Sequence, residues 1–297
     1  MTGNKERERI SLRKIIDLAL AEDRIHQDVT TNALRACDRV VDAVVVAKEA
    51  GVISGVAAFR ETMKTVDPRM AVKVLKGEGQ RVNSGDIVLR LRGRESAILK
   101  GERTALNFLQ RLCGVATLTR RFSDVLRPFR TRLLDTRKTT PGMRYLEKRA
   151  VRSGGGRNHR FHLQEMALIK DNHIVMAGGI AAAVDRVRRH LRRLPRKRIE
   201  VEVKSLAELH EALAAGVDWI MLDNFSPAQI RRAVALNRGR ARLEVSGNVT
   251  LQRLIAIARC GVDFVSVGAL THSFRALDLS LEILTSPKRR HGRERLF

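Results

Sequence analysis

From Thr131 onward the chain repeats one unit: a short apolar run, then a stretch with apolar residues at helical spacing. The spacing predicts strands at Arg132–Asp135, Met166–Lys170, Ile199–Val203, Trp219–Leu222, Leu243–Val245 and Phe264–Val267. Helical patterns fall between them, as at Leu206–Ala215 and Ala228–Leu236. Repeated strand–helix units with short apolar strands imply a parallel sheet covered by helices. Such units form an open sheet or close into a barrel, and the pattern leaves both open. The polar residues of interest follow strand ends: Arg137, Lys170, Asp223 and Ser246, with Gly268 placed likewise. The carboxyl ends of strands are where a barrel of this kind builds its site.

The densest chemistry lies between Leu134 and Ile174. The first strand ends in Asp135-Thr136-Arg137-Lys138, and Pro141-Gly142 breaks the chain. A helix of about three turns is expected from Arg144 to Arg152. Gly154, Gly155 and Gly156 then form a loop that tolerates unusual backbone angles. Asn158-His159-Arg160 follow, and the next strand ends in Lys170-Asp171-Asn172-His173. Arg137, Lys138, His159, Arg160 and Lys170 thus collect at strand ends and loop edges, as a multiply anionic small molecule would require. Alternation puts Glu200 and Glu202 on one side of their strand. A carboxylate inside a barrel is costly unless paired or metal-bound. Glu202 and Asp223 are therefore candidates to hold sugar hydroxyls or Mg²⁺, which takes one or two protein carboxylates together with substrate phosphates. Ser246-Gly247-Asn248 precedes a helix expected near Thr250, and Val267-Gly268-Ala269-Leu270-Thr271-His272 repeats the arrangement one unit later. Glycine allows close backbone approach and helix starts offer free N–H donors, so both read as anion cradles.

The first part of the chain has a different grammar. Residues 10–21 read as an amphipathic helix, Val40–Ala47 as a β-branched strand, and Gly51–Gly55 as a turn and second strand. Val72–Leu91 reads as strand–turn–strand. Its Gly79–Asp86 spelling is like the turns of biotinyl or lipoyl carriers, but no lysine occupies the hairpin setting a carrier needs, so it reads as a structural β half. Leu99–Phe122 is a long helical pattern. The expected domains are 1–113 and 114–272, with 273–297 packing back on the first, beginning with a last helix from about His272.

The chain has 297 residues and a formal net charge of +25, with Lys+Arg at 57. That charge would attract nucleic acid, anionic membrane or anionic metabolites. Eight cations between Arg186 and Arg198, with Val187, Leu191 and Leu194 at helical spacing, read as the solvated outer face of a barrel helix before a turn at Pro195. A second basic cluster runs from Lys288 to Arg295. With one Trp and one Tyr, aromatic stacking of bases has little support, so nucleic acid is not the expected partner. No apolar run approaches the roughly 20 residues that span a bilayer, and the first residues carry no apolar signal core. Cys37, Cys113 and Cys260 are far apart and lack zinc or CxxC spacing, which reads as structural thiols in a reducing, cytoplasmic setting.

The run DTRKTTPG…LEK.AV..GGG.NHR…KDNH from Asp135 to His173 resembles the quinolinate phosphoribosyltransferase family over about forty residues with their spacing. GERTALNFLQRLCGVATLT around Arg103 is similar to that family as well, with Cys113 where serine is common. Gln27 replaces a usual glycine, and Val245 a usual alanine; both touch packing more than chemistry. The resemblance implies an incomplete α/β barrel joined to an N-terminal α+β sandwich domain, of the type II phosphoribosyltransferase kind. It implies transfer of phosphoribosyl from phosphoribosyl pyrophosphate to quinolinate with decarboxylation, in NAD biosynthesis, with Mg²⁺. It favours Glu202 over Glu200 and assigns Lys138, Lys170, Glu202 and Asp223 to catalysis. Arg103, Arg137, His159, Arg160, Ser246, Gly247, Asn248, Gly268, Ala269 and His272 fall to substrate binding, and Glu202 and Asp223 also to the metal, directly or through substrate. A homodimer is implied, with Arg103 reaching the neighbouring subunit's site. Two rivals remain: a related phosphoribosyltransferase acting on another aromatic acid, and a basic nucleic-acid-binding protein on the same scaffold.

Overall fold

A computed structural model describes residues 2–34, 39–193 and 197–284. Cys37, the turn at Pro195 and the tail Lys288–Arg295 lie outside them. The chain divides between Gly114 and Val115, and again between Arg275 and Ala276.

The first unit opens with helices α1 (Thr2–Glu22) and α2 (Val29–Leu34). Strands β1 (Val40–Ala47) and β2 (Gly51–Val52) lead to α3 (Val56–Val66); β3 (Ala71–Val74), β4 (Arg81–Val82) and β5 (Ile87–Arg94) lead to α4 (Glu95–Leu126), inside which the division falls. The β-branched run of β1 pairs antiparallel with β5, and β5 with β3. Alternation in these strands directs Ala43, Val45, Leu89 and Leu91 into a core completed by Phe59, Met63, Ile98, Leu106 and Leu109 of α3 and α4. Helix α3 starts at Gly55, which has φ +95 and whose added Cβ would lie 2.7 Å from Leu112 Cδ1. The Glu78 carboxylate accepts from the Gly55 and Val56 N–H groups at 3.0 Å, a stabilising anion at a helix start. The pattern around residues 56–66 carried no helix in the sequence reading; its apolar stripe is Val56, Phe59 and Met63.

In the second unit the strands are β6 (Arg132–Leu134), β7 (Ala167–Ile169), β8 (Ile199–Val203), β9 (Trp219–Asp223), β10 (Arg242–Ser246) and β11 (Phe264–Ser266). The helices are α5 (Arg144–Ser153), α6 (Asp171–Ala177), α7 (Ile180–Leu191), α8 (Leu206–Ala214), α9 (Pro227–Asn237), α10 (Leu251–Ala258) and α11 (Ala269–His272). The sheet order is β6-β11-β10-β9-β8-β7, every adjacent pair parallel. A closed ring in chain order would need one more link, between β6 and β7, so this is an incomplete barrel. Its floor is apolar: Trp219 stacks on Phe264 at 4.5 Å between ring centroids, with Leu134 and Met166 packed beside them.

Two expectations need correction. The segment after His272 does not form a long helix. Helix α11 stops at His272 and the chain returns as β12 (Leu279–Leu284), antiparallel to the free edge of β1 in the first unit. A short apolar run is ambiguous between strand and helix, and the unpaired edge decides it. The basic helix also ends earlier, at Leu191, so Arg186, Arg188 and Arg189 lie on α7 while Arg192 and Arg193 follow it; all are exposed.

Cys113 is fully buried in the first unit's core, and burial pushes its thiol up to about 12. Its sulfur accepts from the Ser54 N–H at 3.3 Å. Cys113 is therefore expected to remain unalkylated by iodoacetamide at pH 8 in the native protein and to react once urea unfolds it, read by peptide mass spectrometry; rapid native labelling would contradict this packing.

Candidate active site

The carboxyl ends of the barrel strands open into a cavity of about 850 Å³. Its rim carries both charge signs. Every site residue expected from the sequence lines it except Arg103, which lies on α4 in the first unit.

The frame beneath the cations is a buried ion pair. Asp135 directly follows β6 and Lys148 lies on α5; both side chains are completely buried and hydrogen-bonded to each other. Burial pushes Asp135 up and Lys148 down, each against the pull of its partner. The pair also orders the segment after the glycines. Asp135 Oδ1 accepts from the His159 N–H at 2.9 Å and Oδ2 from Asn158 Nδ2 at 2.6 Å, while Lys148 Nζ donates to the His159 carbonyl at 3.0 Å. Arg157 bridges β6 beside Leu134, so the segment 157–160 enters the side where the barrel lacks its last link.

The three glycines serve different needs. Only Gly155 has a positive φ, +95. An added Cβ at Gly154 would lie 2.4 Å from Thr119 Cβ and 2.6 Å from the Ala116 carbonyl, so α4 can approach only where there is no side chain. Arg120 of α4 then donates to the Gly154 and Ser153 carbonyls at 3.0 Å each.

The cationic side holds Arg137, Lys138, Arg160 and Lys170. Arg137 Nε is buried with no hydrogen-bond partner among the described residues. Burial and the Arg137 charge pull the Arg160 guanidinium down from its ordinary value. Lys138 is held by its backbone: its N–H donates to Thr136 Oγ1 at 3.0 Å and its carbonyl accepts from Thr271 Oγ1 at 2.8 Å. Lys170 pairs with Glu202 across the ends of β7 and β8. Lys204 pairs elsewhere, with Asp171 at 2.8 Å.

The opposite chemistry is built by β9 and β10. Asp223 aligns with Ser246, and the two following loops interlock through Asn248 Nδ2 to Asn224 Oδ1 at 3.1 Å. Asn224 and Asn248 hold φ values of 58 and 48, and Gly247 holds 89. A Cβ at Gly247 would fall 2.3 Å from Asn224 Oδ1, so this turn requires glycine. Glu202 and Asp223 present carboxylates at the ends of adjacent strands, a donor set that suits Mg²⁺ completed by substrate oxygens.

Below the rim, His159 Nε2 lies 3.1 Å from Glu200 Oε2 and 3.4 Å from Glu244 Oε2, with both glutamates fully buried. Burial opposes charge on the ring while Glu200 and Glu244 favour it and pull His159 up, but its Nδ1 accepts the Arg160 N–H at 2.8 Å, which a protonated Nδ1 cannot do; burial and Glu244 push Glu200 up to about 7. This is the one group of metal-ligand type among the described residues, its ligand atoms within 4.8 Å of each other. Sequence reasoning missed Glu244, Asn224, Lys148 and Ser266. Glu244 was findable, because it precedes Ser246 by two residues and shares its face of the strand.

Replacing Lys148 with Met leaves Asp135 buried without its counter-charge. The expected cost is about 3–5 kcal/mol in urea unfolding, against about 0.5 kcal/mol or less for the exposed Arg149→Ala. Equal, small effects would contradict the framing role of the pair.

Two family models cover the chain: quinolinate phosphoribosyl transferase, N-terminal domain, over residues 28–113, and its C-terminal domain over 115–282. A probable nicotinate-nucleotide pyrophosphorylase (carboxylating) of Bacillus subtilis is 38% identical over 277 residues, 93% of this chain and 95% of that protein. One from Synechocystis is 44% identical, covering 89% of this chain and 90% of the relative. The structure of the Francisella tularensis nicotinate-nucleotide pyrophosphorylase superposes with a TM-score of 0.88 at 41% identity, over 92% of this chain and 96% of that one.

Proposed function

Because the chain belongs to the quinolinate phosphoribosyltransferase family, we propose that its barrel cavity binds quinolinate on the cationic side and the ribosyl donor on the glycine-turn side. The protein is a phosphoribosyltransferase of NAD biosynthesis. It transfers phosphoribosyl from phosphoribosyl pyrophosphate to quinolinate, with decarboxylation, yielding nicotinate mononucleotide, pyrophosphate and CO₂.

The observation that carries the assignment of sides is the unpartnered, buried Nε of Arg137 beside Arg160. Two guanidinium groups held together repel, and a ligand bearing two carboxylates on neighbouring ring carbons relieves that repulsion with paired hydrogen bonds. Lys138 and Lys170 add positive charge at the same wall. The Ser246–Gly247–Asn248 turn and the Gly268–Ala269 turn, with His272, receive the 5′-phosphate of the donor through backbone N–H groups. Glu202 and Asp223 orient the ribose hydroxyls and would hold Mg²⁺, whose charge, with the donor bound, offsets that of the departing pyrophosphate.

Catalysis on this reading is positioning plus electrostatics. The quinolinate nitrogen attacks the anomeric carbon, the bond to pyrophosphate breaks, and its electron pair leaves with pyrophosphate. The ring nitrogen becomes cationic. That charge stabilises the electron pair left on the adjacent ring carbon when the carboxylate departs as CO₂, and that pair then takes up a proton. Lys138 and Lys170 are placed to stabilise the leaving anion. No nucleophilic side chain is required.

A second copy is the natural partner. Leu163, Val175 and Met176 are 67%, 79% and 80% exposed, and the groove containing Leu163 and Met176 continues to Arg160 at the cavity. An exposed apolar face of this kind suits an interface, and a second subunit would bring its own Arg103 to the site. No described helix is long and apolar enough to cross a membrane. The unpaired, buried Cys113 and Cys260 suit a reducing compartment, the cytoplasm in our reading.

Arg137→Ala is expected to raise KM for quinolinate about 10- to 100-fold, the scale of a lost charged hydrogen bond, with KM for the donor little changed. Gly247→Ala is expected to do the reverse, raising KM for phosphoribosyl pyrophosphate about tenfold through strain at the turn. Initial-rate kinetics with each substrate varied would expose an exchanged pattern, which would overturn the assignment of sides.

A further inference from the structure

Deep in the barrel, the residue between Arg137's wall and the apolar floor is held along its backbone and at one edge of its ring, while the other edge faces two carboxylates. The His159 N–H and carbonyl are taken by Asp135 and Lys148. Its Nδ1 accepts the backbone N–H of Arg160 at 2.8 Å. Its Nε2 points between the carboxylates of Glu200 and Glu244, at 3.1 and 3.4 Å. Glu200 and Glu244 favour a charged ring, but a ring nitrogen that accepts an N–H cannot itself carry a proton, so the contact to Arg160 sets the neutral Nε2–H tautomer. Neither ring nitrogen is left for a substrate carboxylate. The groups facing this cluster are Arg160 above it, Trp219 from β9, Ser266 from β11 and, at the strand ends, the Lys170–Glu202 pair. Neither carboxylate has a hydrogen-bond partner among the described residues, and the Nε2 edge of the ring is the group that both face.

We infer that His159, Glu200 and Glu244 are a positioning unit for Arg160, acting on the substrate only through that residue. The ring works as a strut between two strands of the barrel and the backbone of Arg160. Glu200 on β8 and Glu244 on β10 fix its Nε2 edge, and its Nδ1 edge fixes the Arg160 N–H. Arg160 Nη1 donates to the Met166 carbonyl at 3.0 Å, which sets the direction in which the rest of its planar fork faces the cavity. A planar, two-pronged donor loses much of its grip when its plane turns, so an immobile backbone beneath it carries direct value. The inference rests on the reading that Arg160 grips a quinolinate carboxylate.

Two isosteric replacements separate the roles of the ring nitrogens. Asparagine can place an acceptor near the Nδ1 position, and glutamine a donor near the Nε2 position. His159→Ala is expected to raise KM for quinolinate about tenfold or more, His159→Asn to recover most of that loss, and His159→Gln to recover little. Rescue by glutamine and not by asparagine would mean that the ring touches substrate directly, and would overturn the inference. In an Arg160→Ala background, His159→Ala is expected to add little; a further loss of comparable size would equally overturn it. A substrate-free measurement keeps the test independent of the assigned reaction and of variant folding. In the unmodified protein, ¹⁵N NMR of the His159 ring at pH 7 should give one protonated and one unprotonated nitrogen, with the proton on Nε2. Two protonated nitrogens, or a proton on Nδ1, would remove the contact to Arg160 and with it the inference.

Discussion

The site hangs on one buried ion pair. Asp135 and Lys148 sit at zero exposure, where each charge alone would cost several kcal/mol of lost hydration. Their pairing offsets that cost, and their remaining hydrogen-bonding capacity is spent on Asn158 and His159. The consequence is mechanical. The barrel lacks a link between β6 and β7, and an irregular segment has to pass along that side. An unframed loop there would leave Arg160 mobile. Asp135 anchors it to the strand and Lys148 anchors it to the helix, so an irregular stretch attains the rigidity of the sheet.

Charge is segregated by depth. The apolar floor of Trp219, Phe264, Leu134 and Met166 closes the barrel from below. A middle layer carries Glu200 and Glu244 about the His159 ring. The top layer carries Arg137, Lys138, Arg160 and Lys170 on one side, and the glycine and asparagine turns after β9 and β10 on the other. Buried acid beneath surface cation lets two arginines stand side by side before any ligand arrives, since Glu200 draws Arg160's charge where Arg137 repels it. In a chain of net charge +25, the same layering sets apart the few cations that line the cavity, while those of α7 face water.

Much of this was legible in the residues. Strand ends could be read from where apolar runs stop, which located Arg137, Lys170, Asp223 and Ser246 at one end of one sheet. Closure of the barrel could not be read from pattern, because strand order is a tertiary property; it followed only from resemblance. Lys148 was invisible for a physical reason. Lysine at helical spacing in a basic chain reads as surface, and only the neighbouring carboxylate makes its burial tolerable. Glu244 was hidden by the apolar residues on either side of it in β10, although its alternation with Ser246 marks the inward face. Strand β12 failed for want of context, since LSLEIL acquires its identity from the free edge of β1.

The most direct measurement is product release from purified protein given quinolinate, phosphoribosyl pyrophosphate and Mg²⁺, with pyrophosphate and CO₂ followed together. The account predicts release of the two in equal amounts, dependent on both substrates. Pyrophosphate without CO₂ would mean ribosylation of a different acid or simple donor hydrolysis. Absence of both from folded protein would contradict the function assigned to this cavity.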